Sequence, residues 1–165
     1  MSRIDFAELP DHARLWVFPA DRELSPQESE ALLATVDGSL AAWNAHGSPV
    51  RWGRELRYGQ VLLIGVDETH TALSGCSIDS ATREIGTLES RLGVALLDHG
   101  RVFYRDAEAL RWAPRPEFKQ LAEAGRVTAD TVVLDNVIAT VGELRAGRWE
   151  VPARSTWHAR AFPLK

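Results

Sequence analysis

The chain contains very few of the residues that disulfide and thiolate-metal chemistry require. Among its 165 residues there is a single cysteine, Cys76. One cysteine excludes an intrachain disulfide and any cysteine-based zinc cluster, and it is typical of proteins that stay in a reducing compartment. We therefore expect a cytoplasmic protein, and the sequence predicts no metal and no other cofactor.

Long apolar runs and an excess of positive charge are also missing. No stretch approaches the ~20 apolar residues that a membrane-spanning helix needs, and residues 1–5 lack the apolar core of a signal peptide. Lys and Arg number 19 against 23 Asp and Glu, which gives a net charge of -4. The arginines stand singly among acids and form no basic stripe. The sequence therefore predicts no membrane or nucleic-acid partner; it leaves an unidentified small molecule or protein as the partner and does not determine the oligomeric state.

The motifs of several large enzyme classes are absent. The sequence has no GxxxxGK[ST] phosphate loop, no GxGxxG dinucleotide loop, no HExxH metal site and no GxSxG nucleophile elbow. The glycine spacing nearest to a phosphate loop, Gly47 to Gly53, lacks the lysine and the hydroxyl residue that such a loop needs. Nucleotide hydrolysis of the phosphate-loop type is therefore excluded.

The chain does contain the alternating strand and helix patterns of an α+β protein. Strands are expected at 15–18, 51–58, 60–66, 94–98 and 101–105, and helices at 26–45 and 78–92. The first helix begins with the capping box Ser25-Pro26-Gln27-Glu28. The apolar run at 60–66 is typical of a strand covered on both faces. The order is βαββαβ with an extra hairpin strand, whose turn is expected at His99-Gly100. This order predicts a ferredoxin-like sandwich, in which two helices cover one face of an antiparallel sheet.

The pattern changes from Asp106 onward. We expect a strand at 109–112, a short helix at 116–124, a strand at 131–134 and a helix at 140–146. The tail carries Trp149 and Trp157, which we expect to dock onto the body because indoles are usually buried. The prediction is a single domain over 1–165, with a ferredoxin-like core at 14–105 and an α/β extension with a docked tail at 106–165.

The segment between the central strand and the second helix carries most of the candidate site residues. Asp67, Glu68 and His70 follow the strand and could act as acid and base, although solvated loop acids are the commoner explanation of such residues. No second pair with metal-ligand spacing accompanies them, so no metal site is predicted. His12 and His99 are expected to be surface or turn residues.

Cys76 lies at or just before the start of the second helix, where partial positive charge lowers the pKa of a thiol and attracts anions. One interpretation is a catalytic nucleophile with His70 or His158 as its base. A second is that the run 74–77 cradles an anionic group, although the charge of Asp79 opposes this. A third is a small buried hydrophobic residue at a tight turn. The ligand-binding candidates are Asp67, Glu68, Ser74, Gly75, Ser77 and Asp79.

Four segments resemble a family of short, uncharacterised bacterial proteins: SGCSID at 74–79, WNAHG at 43–47, TVV at 131–133 before Asp135-Asn136, and WEVPA at 149–153 before STWH. The resemblance spans nearly the whole chain. Members often carry the automatic label "ABC transporter ATPase", which the missing phosphate loop does not support here. The resemblance implies no established activity and no catalytic residue. Residues 118–133 are also similar to small GYF-type adaptor modules, but the aromatic signature for proline-rich ligands is not evident.

Two functional hypotheses follow from these patterns. The first is a non-catalytic binding or regulatory domain whose pocket for a small ligand or partner lies around 67–77. It rests on a complete scaffold without a complete catalytic signature. The second is a thiol-dependent enzyme that uses Cys76 as nucleophile and His70 or His158 as base.

Overall fold

The computed structural model describes residues 2–41, 50–69 and 75–165, and of residues 75–81 it describes only the backbone. Within these residues the chain forms two four-stranded sheets and five α-helices, which confirms the mixed α+β class. The chain divides into two compact units. Unit 1 is Met1–Leu97 with Ala139–Gly142, and unit 2 is Asp98–Ile138 with Glu143–Lys165. The predicted single-domain organisation stays a prediction, and the boundary predicted between residues 105 and 106 falls inside a strand of unit 2.

Unit 1 contains most of the elements expected from the sequence. Its elements are β1 (Ser2–Arg3), β2 (Arg14–Pro19), α1 (Pro26–Ala41), β3 (Arg51–Arg57), β4 (Val61–Asp67) and α2 (Gly75–Leu92). The capping box at the start of α1 is formed as predicted: the Ser25 N–H donates to Glu28 Oε2 at 2.8 Å, and the Glu28 N–H donates to Ser25 Oγ at 3.3 Å. The expected continuation of α1 through 42–45 lies outside the described residues.

The central position of β4 explains its unbroken apolar sequence. The strands lie in the order β1-β3-β4-β2, and β4 pairs antiparallel with both β3 and β2. All seven residues of β4 are buried, which confirms the prediction of a strand covered on both faces. On one face, Leu62 and Ile64 pack in a core that also contains residues of both helices, Leu32, Val36 and Leu40 of α1 and Ile85 and Leu88 of α2.

The strand predicted at 94–98 is wrong, because this backbone bonds to Asp21 and to the Glu89 side chain rather than to a neighbouring strand. The Asp21 N–H donates to the Ala95 carbonyl at 3.1 Å, and the Ala95 N–H donates to Asp21 Oδ1 at 3.0 Å. The carboxylate of Glu89 accepts from the N–H groups of Leu96 and Leu97. The apolar pattern came from burial of Val94 and Leu96 in the helical core of unit 1.

The hairpin predicted around His99-Gly100 is also wrong. Asp98 Oδ1 accepts from the Gly100 N–H at 2.8 Å, which makes this stretch an Asp-stabilised turn before the strand begins. The observed hairpin joins β5 (Arg101–Asp106) to β6 (Ala109–Pro114) one strand later. Its two-residue turn places Ala107 at φ 52° and contains neither Gly nor Asn, so the usual hairpin signal was missing.

Unit 2 consists of short elements around a second core. Its sheet has the order β6-β5-β7-β8, with β7 at Val132–Leu134 and β8 at Glu150–Pro152. The helices are α3 (Arg115–Glu123) and α5 (His158–Ala161), and α4 (Val141–Arg145) contains the division between the units. The core includes Val102, Phe118, Val133 and Phe162, with Trp157 partly buried against it.

Candidate functional site

The buried carboxylate of Asp67 is the centre of a polar cluster in unit 1. Asp67 is the last residue of β4, and its side chain is only 3% exposed. The strand register pairs it with Arg51 of β3, whose Nη2 donates to Asp67 Oδ2 at 2.7 Å. Because β4 is buried on both faces, its terminal carboxylate must be satisfied by neighbouring groups rather than by bulk water.

Thr69 and His12 satisfy the other carboxylate oxygen of Asp67. The Thr69 N–H donates to Asp67 Oδ1 at 3.1 Å, and the Thr69 hydroxyl makes a short hydrogen bond to the same oxygen. His12 Nε2 lies 3.2 Å from Asp67 Oδ1 and 2.6 Å from Thr69 Oγ1. Both oxygens of Asp67 therefore have partners within unit 1.

These hydrogen bonds control the ionisation of Asp67. Burial raises the pKa of the carboxyl group, but the bonds from the Thr69 hydroxyl, Arg51, the Thr69 N–H and His12 outweigh it. The net result is that the pKa of Asp67 lies well below its usual range. Asp67 is therefore an ionised hydrogen-bond acceptor at neutral pH, and it holds its partners in position.

His12 lies on a turn that the backbone fixes on both sides. The Ala13 N–H donates to the Pro10 carbonyl at 2.9 Å and closes the turn. The Gly142 N–H donates to the Asp11 carbonyl at 2.8 Å. A Cβ on Gly142 would come within 2.9 Å of Asp11 Cβ, so glycine is needed for this close approach. The turn places the His12 ring against Asp67 with 63% of the side chain exposed.

A second ion pair lies beside Asp67 in the sequence. Arg14 Nη1 is 3.8 Å from Glu68 Oε1, and the Arg14 guanidinium lies 4.8 Å from the centre of the Trp16 ring. Glu68 Oε1 is buried and has no hydrogen-bond partner within the described part of the chain. We call the cluster of His12, Arg14, Arg51, Asp67, Glu68 and Thr69 the Asp67 corner.

The structure brings together only part of the residue set predicted from the sequence. Asp67 and Glu68 lie in the Asp67 corner, whereas His70 and Ser74 fall outside the described residues. Helix α2 begins at Gly75, so Cys76 lies in its first turn. The side chains of Cys76, Ser77 and Asp79 also fall outside the description. The roles predicted for these residues stay predictions.

His158 lies in the aromatic core of unit 2. Its ring stacks on Trp157 at a centroid distance of 3.9 Å, and Nδ1 lies 2.7 Å from Thr156 Oγ1. Burial, together with the charge of Arg115, lowers the pKa of His158 to about 4. This environment is typical of a neutral histidine packed in a core.

The sequence interpretation missed Arg51, His12 and Thr69 as members of the site. Arg51 could have been found, because β3 and β4 pair antiparallel about the turn at Gly59 and counting back along this hairpin places Arg51 opposite Asp67. His12 and Thr69 carry no comparable signal. His12 is exposed, as expected, but its contact with Asp67 joins residues 55 positions apart.

Within the described side chains, no group of three or more His, Cys, Asp or Glu residues could hold a metal ion. Among the helices that the structure describes, none is long and apolar enough to cross a membrane.

Comparison of the chain with protein-family models, with curated proteins and with solved structures gives no match. The geometry of the site is therefore the basis for any functional proposal.

Proposed function

We propose that unit 1 is a binding or regulatory domain for a small ligand or a partner, and that the Asp67 corner is the described part of its site. The full site would extend along residues 67–77, where the sequence predicts a pocket. The observation that carries this proposal is the arrangement around Asp67, in which a buried carboxylate holds two exposed hydrogen-bonding side chains, Arg51 and His12.

A second ion-pair cluster in unit 1 has the opposite arrangement. Arg54 binds Asp37 through two hydrogen bonds of 2.8 and 2.7 Å, and its side chain is only 15% exposed. There the Arg54 guanidinium is largely buried, and its hydrogen bonds are made to Asp37. At the Asp67 corner the Arg51 side chain is 51% exposed and the His12 side chain 63%, so both remain accessible to a ligand. This contrast favours a binding role over a purely structural one.

A fragment screen monitored by NMR of the ¹⁵N-labelled chain tests the proposal. We expect the hits in unit 1 to shift the amides of residues 12, 51 and 67–69, and we expect Asp67→Asn to weaken them because Arg51 and His12 lose their anchor. Arg54→Gln is the matched control, since it disrupts the other cluster and leaves the Asp67 corner intact. The proposal would be contradicted by fragments that bind elsewhere on unit 1 and whose binding is unchanged in Asp67→Asn.

The alternative function is a thiol-dependent enzyme with Cys76 as nucleophile and His70 or His158 as base. The start of α2 at Gly75 favours it, because a thiol in the first helical turn has a lowered pKa. The buried environment of His158 favours His70 as the base. If alkylation of the native protein has a midpoint near the ordinary thiol pKa of ~8.5, the enzyme alternative is wrong.

Three further predictions from the sequence, on topology, cellular location and family, are also proposals. We propose a ferredoxin-like topology for unit 1, supported by the order β2, α1, β3, β4, α2 and by the position of β4 between β2 and β3. We propose a cytoplasmic location because the chain has a single cysteine. Membership of the short bacterial family rests on the SGCSID segment and its companions and remains a proposal.

A further inference from the structure

The hydrogen bonds at the Asp67 corner determine which nitrogen of His12 carries a proton. Asp67 is ionised and can only accept. The Thr69 hydroxyl has one proton, and its hydrogen bond to Asp67 Oδ1 uses that proton because the carboxylate can only accept. His12 Nε2 reaches Asp67 Oδ1 and Thr69 Oγ1, and neither has a proton to give it. His12 Nε2 must therefore be protonated and must donate.

The other ring nitrogen, Nδ1, then becomes the available acceptor. In the neutral imidazole only one nitrogen carries a proton, so a proton on Nε2 leaves a lone pair on Nδ1. Within the described part of the chain, all of the hydrogen bonds of His12 run through Nε2. With 63% of the side chain exposed, Nδ1 can accept a hydrogen bond from a ligand.

Arg51 supplies positive charge at the other oxygen of the Asp67 carboxylate. It binds Asp67 Oδ2 through Nη2, and in the described residues no other group pairs with its guanidinium. A guanidinium has five N–H donors and binds carboxylates through two parallel hydrogen bonds. His12 and Arg51 bind the two oxygens of one carboxylate, so both side chains belong to the same corner of unit 1.

We propose that the Asp67 corner binds a small hydroxycarboxylate, with its carboxylate on Arg51 and its hydroxyl donating to His12 Nδ1. This inference rests on the proposed binding function and names the class of ligand. A metal cation would find both Asp67 oxygens occupied and Glu68 beside Arg14. A hydroxyl group can donate to Nδ1 without adding a charge to the corner. A neutral hydroxyl is the donor that fits.

The test compares glycolate with acetate, which differ by one hydroxyl group. Both are titrated into the ¹⁵N-labelled chain, and the amides of residues 12, 51 and 67–69 report binding. We expect glycolate to bind about fivefold more tightly than acetate, the effect of one additional hydrogen bond of ~1 kcal/mol. His12→Phe should abolish the preference for glycolate over acetate, while Arg51→Gln should weaken the binding of both.

Arg57→Gln is the matched control, because Arg57 lies on the same strand and the same face as Arg51 but pairs with Glu55. Equal affinities for glycolate and acetate, a preference that survives His12→Phe, or equal losses in Arg51→Gln and Arg57→Gln would each overturn the proposal. Fragment hits at the Asp67 corner without anion preference would overturn it too, while sustaining the binding function.

The tautomer can be measured without any ligand. In NMR spectra of the neutral imidazole, we expect a slowly exchanging Hε2 proton on His12, because Nε2–H is shared between Asp67 and Thr69. Thr69→Val should accelerate its exchange. A proton on Nδ1 instead of Nε2 would overturn the proposal, whatever the result of the titrations.

Discussion

At the scale of single residues, Asp67 shows how burial and hydrogen bonding compete. Burial alone would favour the protonated acid, but four hydrogen bonds from Thr69, Arg51 and His12 stabilise the carboxylate. Asp37 shows a simpler case, since its carboxylate lies nearer the surface and pairs with Arg3 and Arg54. The difference is that Asp67 stays ionised where it is buried because its hydrogen-bond partners compensate for the loss of water.

We predict that Asp67→Asn destabilises unit 1 by about 2 kcal/mol at pH 7, because it removes a charge-assisted buried interaction. The folded-state pKa of Asp67 lies below the unfolded value of ~3.9, so its contribution is complete above that value and is lost as pH falls below it. Urea unfolding at pH 7 and pH 3 measures the difference. Glu68→Gln is the neighbouring control, and we expect an effect below about 0.5 kcal/mol because its ion pair is 3.8 Å long and partly exposed.

At the scale of elements, close backbone contacts determine where the His12 turn lies. The turn at 10–13 accepts a hydrogen bond from the Gly142 N–H, in a gap that has no room for a side chain. The absence of a side chain on Gly142 permits this close approach. The position of His12 therefore depends on a residue 130 places along the chain.

We predict that Gly142→Ala destabilises the protein by about 1–2 kcal/mol, because the new Cβ would approach Asp11 Cβ and O to 2.9 Å and displace the turn. The control is Gly38→Ala in α1, where a Cβ meets nothing within 4 Å. We expect that change to stabilise by about 0.5–1 kcal/mol, since alanine is the better helix former. Urea unfolding compares the two variants; equal shifts of one sign would contradict the assignment of the contact.

At the scale of the whole molecule, the two units differ in the pH range to which they respond. His158 is buried in unit 2, and its pKa is lowered to about 4 by burial and by Arg115. In unit 1, Arg22 and the Ser25 N–H lower the pKa of Glu28 to about 2. His158 in the folded chain thus stays neutral down to a pH of about 4. The carboxylates of Glu28 and Asp67 stay ionised below the pH at which acidic side chains ordinarily take up a proton.

We predict that acidification from pH 6.5 to about 4 weakens unit 2 first, with His158 as the cause. The unfolded chain binds a proton at its ordinary histidine pKa of ~6.5, but the folded chain does not, so stability falls through this window by up to about 3 kcal/mol. Hydrogen exchange of unit 2 amides follows the change. His158→Gln should remove it; an unchanged slope in that variant would show that another group is responsible.

The sequence by itself determined the elements whose signals are local. The capping box at Ser25, the seven-residue apolar run of β4 and the amphipathic pattern of α2 all predicted their elements, because propensity, capping and periodicity act within a few residues. The same local signals failed at 94–98, where the apolar residues Val94 and Leu96 are buried in the core with the helices of unit 1. Asp21 and the Glu89 carboxylate, rather than a neighbouring strand, bond to this backbone.

Only the tertiary structure decided the site. The sequence indicated Asp67 and Glu68, but residues from the turn at 10–13 and from β3 complete the Asp67 corner. Strand register and the contact at Gly142 determine which groups surround Asp67. The hydrogen bonds of Thr69 and Asp67 determine which His12 nitrogen donates to them. These contacts join residues far apart in the chain, and no pattern within a short window can specify them.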